Sequence, residues 1–287
     1  MGATSRTQVA LVTGAAGGVG RAIALALQGA GFTVFGTSRR PEPGGAGFAR
    51  DGRSAARRAA SIEVPLLSLD VRSDQSVRAL IEELRARAGH LDVLVNNAGI
   101  RFLGAAEETT VEEAKQVFDT NFFGVHRVTA AALPLLREAG AGRIVNISSL
   151  SGLNALPFGA LYSASKWALE AYSESLRHEL KPFGIRVSVV EPGVIRSSTR
   201  EAPHRPKTAI PAYERARQHA VEAITRGDAT GMDAARVAGC VLRILQTASP
   251  RLRYRVGPDA TWLPRLKLLS WSLYERGIRW RYALDQG

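Results

Sequence analysis

Cysteine is almost absent from this 287-residue chain, where Cys240 stands alone. An intramolecular disulfide is therefore impossible, and a thiolate metal cluster is excluded. Long apolar runs are missing too. No stretch reaches the roughly 18 uninterrupted apolar residues that a membrane-spanning helix needs. The first residues, MGATSRTQ, lack the apolar centre of a secretion signal. They also miss the myristoylation pattern, because Arg6 stands where Ser or Thr is required. The five histidines, at 90, 126, 178, 204 and 219, have no metal-ligand spacing, so no metal is expected. Asn146-Ile147-Ser148 matches a glycosylation sequon, but it lies in a segment that reads as a buried strand. A cytoplasmic protein is expected, peripheral to a membrane at most.

Acidic residues are short in supply. Lys and Arg number 38 against 26 Asp and Glu, a net charge of +12. Such an excess invites a nucleic-acid reading. The arginines are dispersed, however, with local density only at Arg50 to Arg58 and in the C-terminal quarter. No nucleic-acid motif accompanies them, and no nucleic-acid partner is expected. Anionic cofactor phosphates or lipid headgroups are the remaining candidates for part of this charge. A hydrophobic fraction of 45% in a chain of this length suits one large α/β domain.

The chemistry is concentrated between Arg143 and Lys166. Ile144 to Ile147 is a short apolar run, a buried strand with Ser148 and Ser149 at its carboxyl end. After a loop with Gly152, Pro157 and Gly159, the run LYSASKWALEAYSESLRHEL is apolar at helical spacing. Tyr162 and Lys166 are four apart and share a helix face. A phenol has an unperturbed pKa of about 10, and an ammonium one turn away is expected to lower it. Such a tyrosine can exchange a proton with an alcohol or carbonyl oxygen, to which Ser149 can also hydrogen-bond. An isolated Tyr-x-x-x-Lys pair is more often a solvated helix face. Together with a serine-rich strand end it is far more specific, and the segment resembles the classical short-chain dehydrogenase/reductase family.

The rest of the chain carries further motifs of that family. Val9 to Val12 is a strand, TGAAGGVG follows at 13 to 20, and a helical run closes at Gly29 and Gly31. Strand, glycine turn and helix are the context for dinucleotide binding, because glycines admit a pyrophosphate to the backbone and the helix start offers amide donors. The spacing Gly14-x-x-x-Gly18-x-Gly20 resembles the family's loop, which Ala16, Gly17 and Val19 complete. Gly17 stands where the family often has a small side chain. The second strand, Thr33 to Thr37, ends in Ser38-Arg39-Arg40 and not in a carboxylate. Arginine there can pair with a 2′-phosphate, which favours NADP(H) over NAD(H).

Residues 41–60 read as a long, partly helical, mobile connection. Glu63 to Leu69 reads as the third strand, and resemblance places Asp70 and Val71 near the adenine. Ser73 or Asp74 caps the next helix. Leu91 to Val95 is the fourth strand, and the Asn97, Ala98 and Gly99 of its NNAG ending border the cofactor by resemblance. Val111 to Leu136 reads as a helix beginning at Thr109 or Thr110 and containing Asn121. Ile185 to Val190 is a strand followed by Pro192 and Gly193, with Val194 and Ile195 expected against the carboxamide. The threonine the family has next is matched only loosely by Ser197, Ser198 or Thr199. Residues 196–230 are polar and read as a mobile substrate lid, followed by a helix at Met232 to Leu245 and a strand at Tyr254 to Val256.

The tail reads as one amphipathic helix, striped at Trp262, Leu266, Leu269 and Leu273 and basic on other faces. It packs on its own domain or at a subunit contact, or it meets a membrane surface. Pro264 suits it only within a first turn.

The resemblance implies a Rossmann-type doubly wound parallel sheet of seven strands, in the order 3-2-1-4-5-6-7, with helices on both faces. A single domain of residues 1–287 is expected, with its core at 7–257, the lid at 196–230 and a helical extension at 258–287. Resemblance also implies an alcohol or ketone substrate, a homodimer or homotetramer, and four catalytic residues. Tyr162 would exchange the proton, Lys166 would lower its pKa and bind the nicotinamide ribose, Ser149 would polarise the oxygen, and Asn121 would hold a water leading to Lys166. A weaker likeness, through RYRVGPDA and the tail, points to the 17β-hydroxysteroid and retinol dehydrogenase branch and thus to a hydrophobic substrate. The rival readings are a non-catalytic cofactor-binding homologue and a peripheral membrane-binding protein.

Overall fold

The computed structural model describes residues 6–41, 64–196 and 203–284. The connection expected at 41–60 lies almost wholly outside the described residues, as do Ser197, Ser198 and Thr199. Seven strands form one parallel sheet: β1 (Val9–Val12), β2 (Thr33–Ser38), β3 (Leu66–Ser68), β4 (Val93–Asn96), β5 (Arg143–Ile147), β6 (Arg186–Pro192) and β7 (Arg253–Val256). Their order is β3-β2-β1-β4-β5-β6-β7, the order the resemblance implies. Register is direct: Leu11 of β1 lies beside Phe35 of β2 and Leu94 of β4. β1 and β4 are buried at every position, the reason parallel strands read as unbroken apolar runs.

Each sheet face has its own core. On one face Leu80 and Leu84 of α2 (Asp74–Ala88), Val128 and Leu135 of α4 (Gly124–Glu138) and Leu176 of α5 (Ala160–Glu179) pack over Leu11 and Leu94. On the other, Ile23 and Leu27 of α1 (Gly18–Gly29) meet Val237 and Val241 of α7 (Ala235–Gln246) over Val12 and Val95. Ser73 caps α2 by accepting from the Ser76 N–H. Thr110 and Glu113 form a reciprocal capping box at the start of α3 (Val111–Phe118).

Several expectations about the elements are corrected. The third strand is shorter than Glu63 to Leu69, spanning Leu66–Ser68. The helix expected at 111–136 is two helices joined by a π-turn at Asp119–Phe123, with Asn121 inside it. The polar lid contains a 17-residue helix, α6 (Glu214–Thr230), whose buried face is small: Ala220, Ala223 and Gly227. Small residues give little apolar signal, which is why this helix within the expected lid was not read from the sequence.

The tail is two helices, α8 (Pro258–Leu269) and α9 (Trp271–Arg281), broken at Ser270, whose hydroxyl caps α9 by accepting from Leu273 N–H. Pro264 sits inside α8 and not in its first turn, and it is buried. Most of the expected stripe does not face the protein: Trp262, Leu269 and Leu273 are exposed, Leu269 at 85% accessible, while Leu266 alone packs inward. Tyr274, Ile278 and Tyr282 pack inward instead, with Leu103, Ala220 and Ala223.

Candidate functional site

The carboxyl ends of the strands open into a cleft of about 780 Å³. This is where a doubly wound sheet places its ligands. One end is built from the glycine turn between β1 and α1. Gly14 adopts φ +66°, and an added methyl there would press on Ala98 Cα at 2.9 Å. A methyl on Gly20 would strike the Gly14 carbonyl and the Asn97 side chain. Asn97 Nδ2 donates to the carbonyls of Thr13 (3.0 Å) and Gly14 (3.1 Å), while the Asn97 and Ala98 N–H groups donate to Thr13 Oγ1. The NNAG segment thereby holds the loop from behind. This bare turn at the head of a helix is a cradle for a pyrophosphate, and a dinucleotide fits it.

Gly14, Ala16, Gly17, Gly18, Val19, Gly20, Ser38, Arg39, Asp70, Val71, Asn97, Ala98 and Gly99 all line this cleft. So do Ser149, Tyr162, Lys166, Pro192, Gly193, Val194 and Ile195. Arg40 does not; it is exposed, and its N–H donates to Ser38 Oγ. Arg72, which sequence reasoning missed, lines the cleft and grips Asp70 through two hydrogen bonds of 3.0 and 2.7 Å. That grip holds the Asp70 carboxyl at about 2, below the usual carboxylate range.

At the other end Tyr162 is half-buried. Loss of water raises its phenol pKa, against a hydrogen bond from Ser149 and the charge of Arg101, which lower it. The expected lowering by Lys166 is absent. The Lys166 ammonium is 6.0 Å from the phenol ring centre and donates to the Ile147 carbonyl at 2.9 Å. Burial pulls Lys166 itself down to about 8, with Glu170 opposing.

Asn121 lies beneath the cleft, fully buried. Its Oδ1 accepts from Ile100 N–H at 2.8 Å, and its Nδ2 donates to the Ile100 carbonyl and to Ser165 Oγ. It is 3.1 Å from where a methyl on Gly99 would stand, and Lys166 Nζ is 3.8 Å from the same point. Behind Lys166, Arg253 of β7 bridges two buried carboxylates, Glu170 (3.0 Å) and Glu191 (3.6 Å), while Arg255 reaches Glu191 at 3.3 Å. Burial pushes Glu191 up to about 7.

The roof over Tyr162 comes from the lid and tail. Leu103 N–H donates to the His204 carbonyl, and His204 N–H to the Arg101 carbonyl, each at 2.8 Å. Arg101 forms two bonds to Asp228 of α6 (2.8 and 3.1 Å). Glu108, buried, accepts from Ile210 N–H and pairs with Arg217. Leu156 and Ile224 supply apolar wall, and Arg281 and Tyr282 of the tail close the rim. No group of three or more potential metal-ligating His, Cys, Asp or Glu side chains occurs among the described residues.

The pattern of the short chain dehydrogenase family matches residues 8–207. A 3-ketodihydrosphingosine reductase of Bacteroides thetaiotaomicron is 33% identical over 269 residues, covering 90% of this chain and 93% of that protein. Retinol dehydrogenase 8 of Bos taurus is 34% identical over 82% of this chain and 79% of its own length. The crystal structure of a short-chain dehydrogenase from Streptomyces avermitilis superposes with a TM-score of 0.76 at 37% identity, covering 96% of this chain and 99% of that one.

Proposed function

The chain belongs to the short-chain dehydrogenase family and is an NAD(P)-dependent oxidoreductase of alcohols and ketones, and from that footing we propose that it uses NADP(H) on a lipid-like substrate, with Tyr162 as the general acid and base. The observation that carries this reading is the meeting of Ser149, Tyr162 and Lys166 on the wall of a cleft whose far end is the glycine turn. A bound nicotinamide supplies hydride exchange. Gly14 to Gly20 hold the pyrophosphate, and Arg39 takes the 2′-phosphate. Tyr162 moves the proton at the substrate oxygen, which Ser149 holds by hydrogen bond. Lys166 relays that proton and meets the nicotinamide ribose. Asn121, by pinning Ile100 and Ser165, keeps the floor under Lys166 in place.

An apolar substrate is supported by the Leu103, Leu156, Ile224 and Tyr282 wall. It is also supported by relatives named for a ketosphingoid base and for retinol. The outer surface agrees in character. Leu268, Leu269, Trp271 and Leu273 are exposed around the α8–α9 break, in a segment that also carries the exposed Arg265 and Arg276. Apolar and basic groups side by side suit an anionic lipid surface or a contact between copies in a homodimer or homotetramer. No described helix is long and apolar enough to cross a membrane. One panel tests the whole reading: NADPH against NADH with long-chain, retinoid, steroid and small ketones. Turnover of small polar ketones alone refutes the lipid-like substrate.

A further inference from the structure

Three carboxylates line the cleft, and each is already engaged. Asp70 holds Arg72 at 2.7 Å, and Asp228 holds Arg101 at 2.8 Å. Glu113 accepts from the Thr110 and Lys207 N–H groups at 3.0 and 2.9 Å. Cations are left over at the substrate end. Arg205 and Arg281 line the cleft there, both are exposed, and neither forms an ion pair among the described residues.

Their backbones are fixed by independent contacts. His204 forms a parallel bridge to Phe102, and its carbonyl accepts from Leu103 N–H at 2.8 Å. Pro206 presses on Gly104, where an added methyl would stand 2.2 Å from its ring. Arg205 lies between these two anchors. On the tail, Tyr282 is buried in the cluster of Leu103 and Ala223, and the Arg281 guanidinium stands beside its hydroxyl. Each arginine is therefore next in the chain to a residue joined to Leu103, one through a hydrogen bond and one through a shared apolar cluster. Two distant segments bring positive charge to the same apolar wall.

An apolar wall topped by guanidinium groups is complementary to an amphiphile with an anionic head, because a guanidinium presents paired donors to carboxylate or phosphate oxygens. On the proposed reading the cofactor phosphates lie at the glycine turn and Arg39, so these two arginines are left to the substrate. We propose that Arg205 and Arg281 form a subsite for a carboxylate or phosphate at the far end of a long-chain ketone or alcohol whose oxygen meets Tyr162. The proposal rests on the lipid-like reading above and narrows it to anionic amphiphiles. It also separates this chain from the relative named for a ketosphingoid base, whose amine these arginines would repel.

Ketones matched in chain length distinguish the head groups: an oxo fatty acid, its methyl ester, the corresponding phosphate monoester and the corresponding amine. Each is assayed with whichever of NADPH and NADH supports turnover. kcat/KM should be about fivefold to thirtyfold higher for an anionic head than for the ester, the yield of one or two exposed ion pairs. The difference should lie in KM and shrink as salt is raised. The better of the carboxylate and the phosphate identifies the head group. Arg205→Glu and Arg281→Glu should each lower that ratio, and together they should place the amine above the carboxylate. Arg281→Lys keeps the charge and should keep most of the preference. Thermal unfolding verifies that the variants are folded. Equal turnover of the ester and both anions, or fastest turnover of the amine, would overturn the proposal. So would an anion preference that survived the double substitution. A parallel loss of cofactor affinity would assign the arginines to the cofactor and overturn it too. A wild type that turned over small polar ketones and none of these long-chain ones would remove the lipid-like reading, and this proposal with it.

Discussion

The two ends of the cleft are built on different principles. The nucleotide end is made of backbone: a turn between β1 and α1, a strand end at Ser38 and Arg39, and the Asn97 clamp, with most of its contacts within or between neighbouring strands. The substrate end is made of side chains from distant segments: Arg101 meets Asp228, Glu108 meets Arg217, and Tyr274 and Tyr282 come from the tail. A backbone device needs glycines at fixed spacing and leaves a signature. A side-chain device needs only that two charges meet, and many sequences achieve it. On the proposed reading, the first end selects the cofactor class and the second the substrate.

The comparison can be broken most severely at the chemistry between the two ends. Tyr162→Phe should lower kcat by about a hundred- to ten-thousandfold, the range of general acid–base catalysis, and leave the NADPH dissociation constant nearly unchanged in fluorescence titration. Retained turnover would refute the proton-transfer role. At the nucleotide end, Arg39→Ala should reduce the preference for NADPH over NADH by about ten- to a hundredfold, because one charge-assisted hydrogen bond contributes about 1.5–3 kcal/mol. Equal affinity for both cofactors in the wild type would overturn that assignment. At the substrate end, Asp228→Ala breaks a half-buried ion pair and should raise substrate KM about threefold to tenfold with cofactor affinity unchanged, a partly exposed pair contributing about 1 kcal/mol. A cofactor effect of similar size would dissolve the distinction between the ends.

The smallest effect is a pH dependence shared by both. Glu191 is raised in the folded state to about 7 from 4.5, so the folded protein binds the extra proton between those values. Stability from this group is complete below about pH 4.5 and is lost as pH rises through about 7. Lys166, lowered from 10.5 to about 8, has the opposite sign in its own window: its buried ammonium opposes folding below about pH 8, and that opposition fades as pH rises from 8 toward 10.5. Stability should therefore pass through a shallow minimum between about pH 7 and 8. Glu191→Gln should flatten the acid side in chemical denaturation, and an unaltered slope would show that Arg253 and Arg255 neutralise the carboxylate completely.

The strands and the glycine turn were legible from the sequence because each depends on a local pattern, unbroken apolar runs and glycine spacing, whereas the sheet order came only through the resemblance those motifs carry. Asn121 was legible as a residue but not as a geometry. Nothing in DTNFF announces a π-turn, whose widened pairing depends on the surroundings of two helices. Asp259 and Asp228 were invisible for another reason, since each matters through a partner 65 or 127 positions away. The stripe of the tail was periodic, yet only Leu266 of its four residues packs inward, and Trp262, Leu269 and Leu273 are exposed. Apolar spacing shows that a face exists and does not say what it meets. The direction of the Tyr162 shift was misjudged because a neighbouring charge can be read from spacing, whereas the loss of water around both groups requires the assembled fold.

The placement of β7 at the sheet edge bears on how the protein is made. Glu191 is completely enclosed, and its cationic partners Arg253 and Arg255 belong to the last strand. While the chain is still emerging from a ribosome, β6 is an open edge and this carboxylate has no counter-charge. The Pro192 turn likewise lacks Val256 and Asp259 until translation has passed them. The glycine turn, by contrast, lies in the first tenth of the sequence, so the two sides of the cleft are supplied by segments made far apart in time.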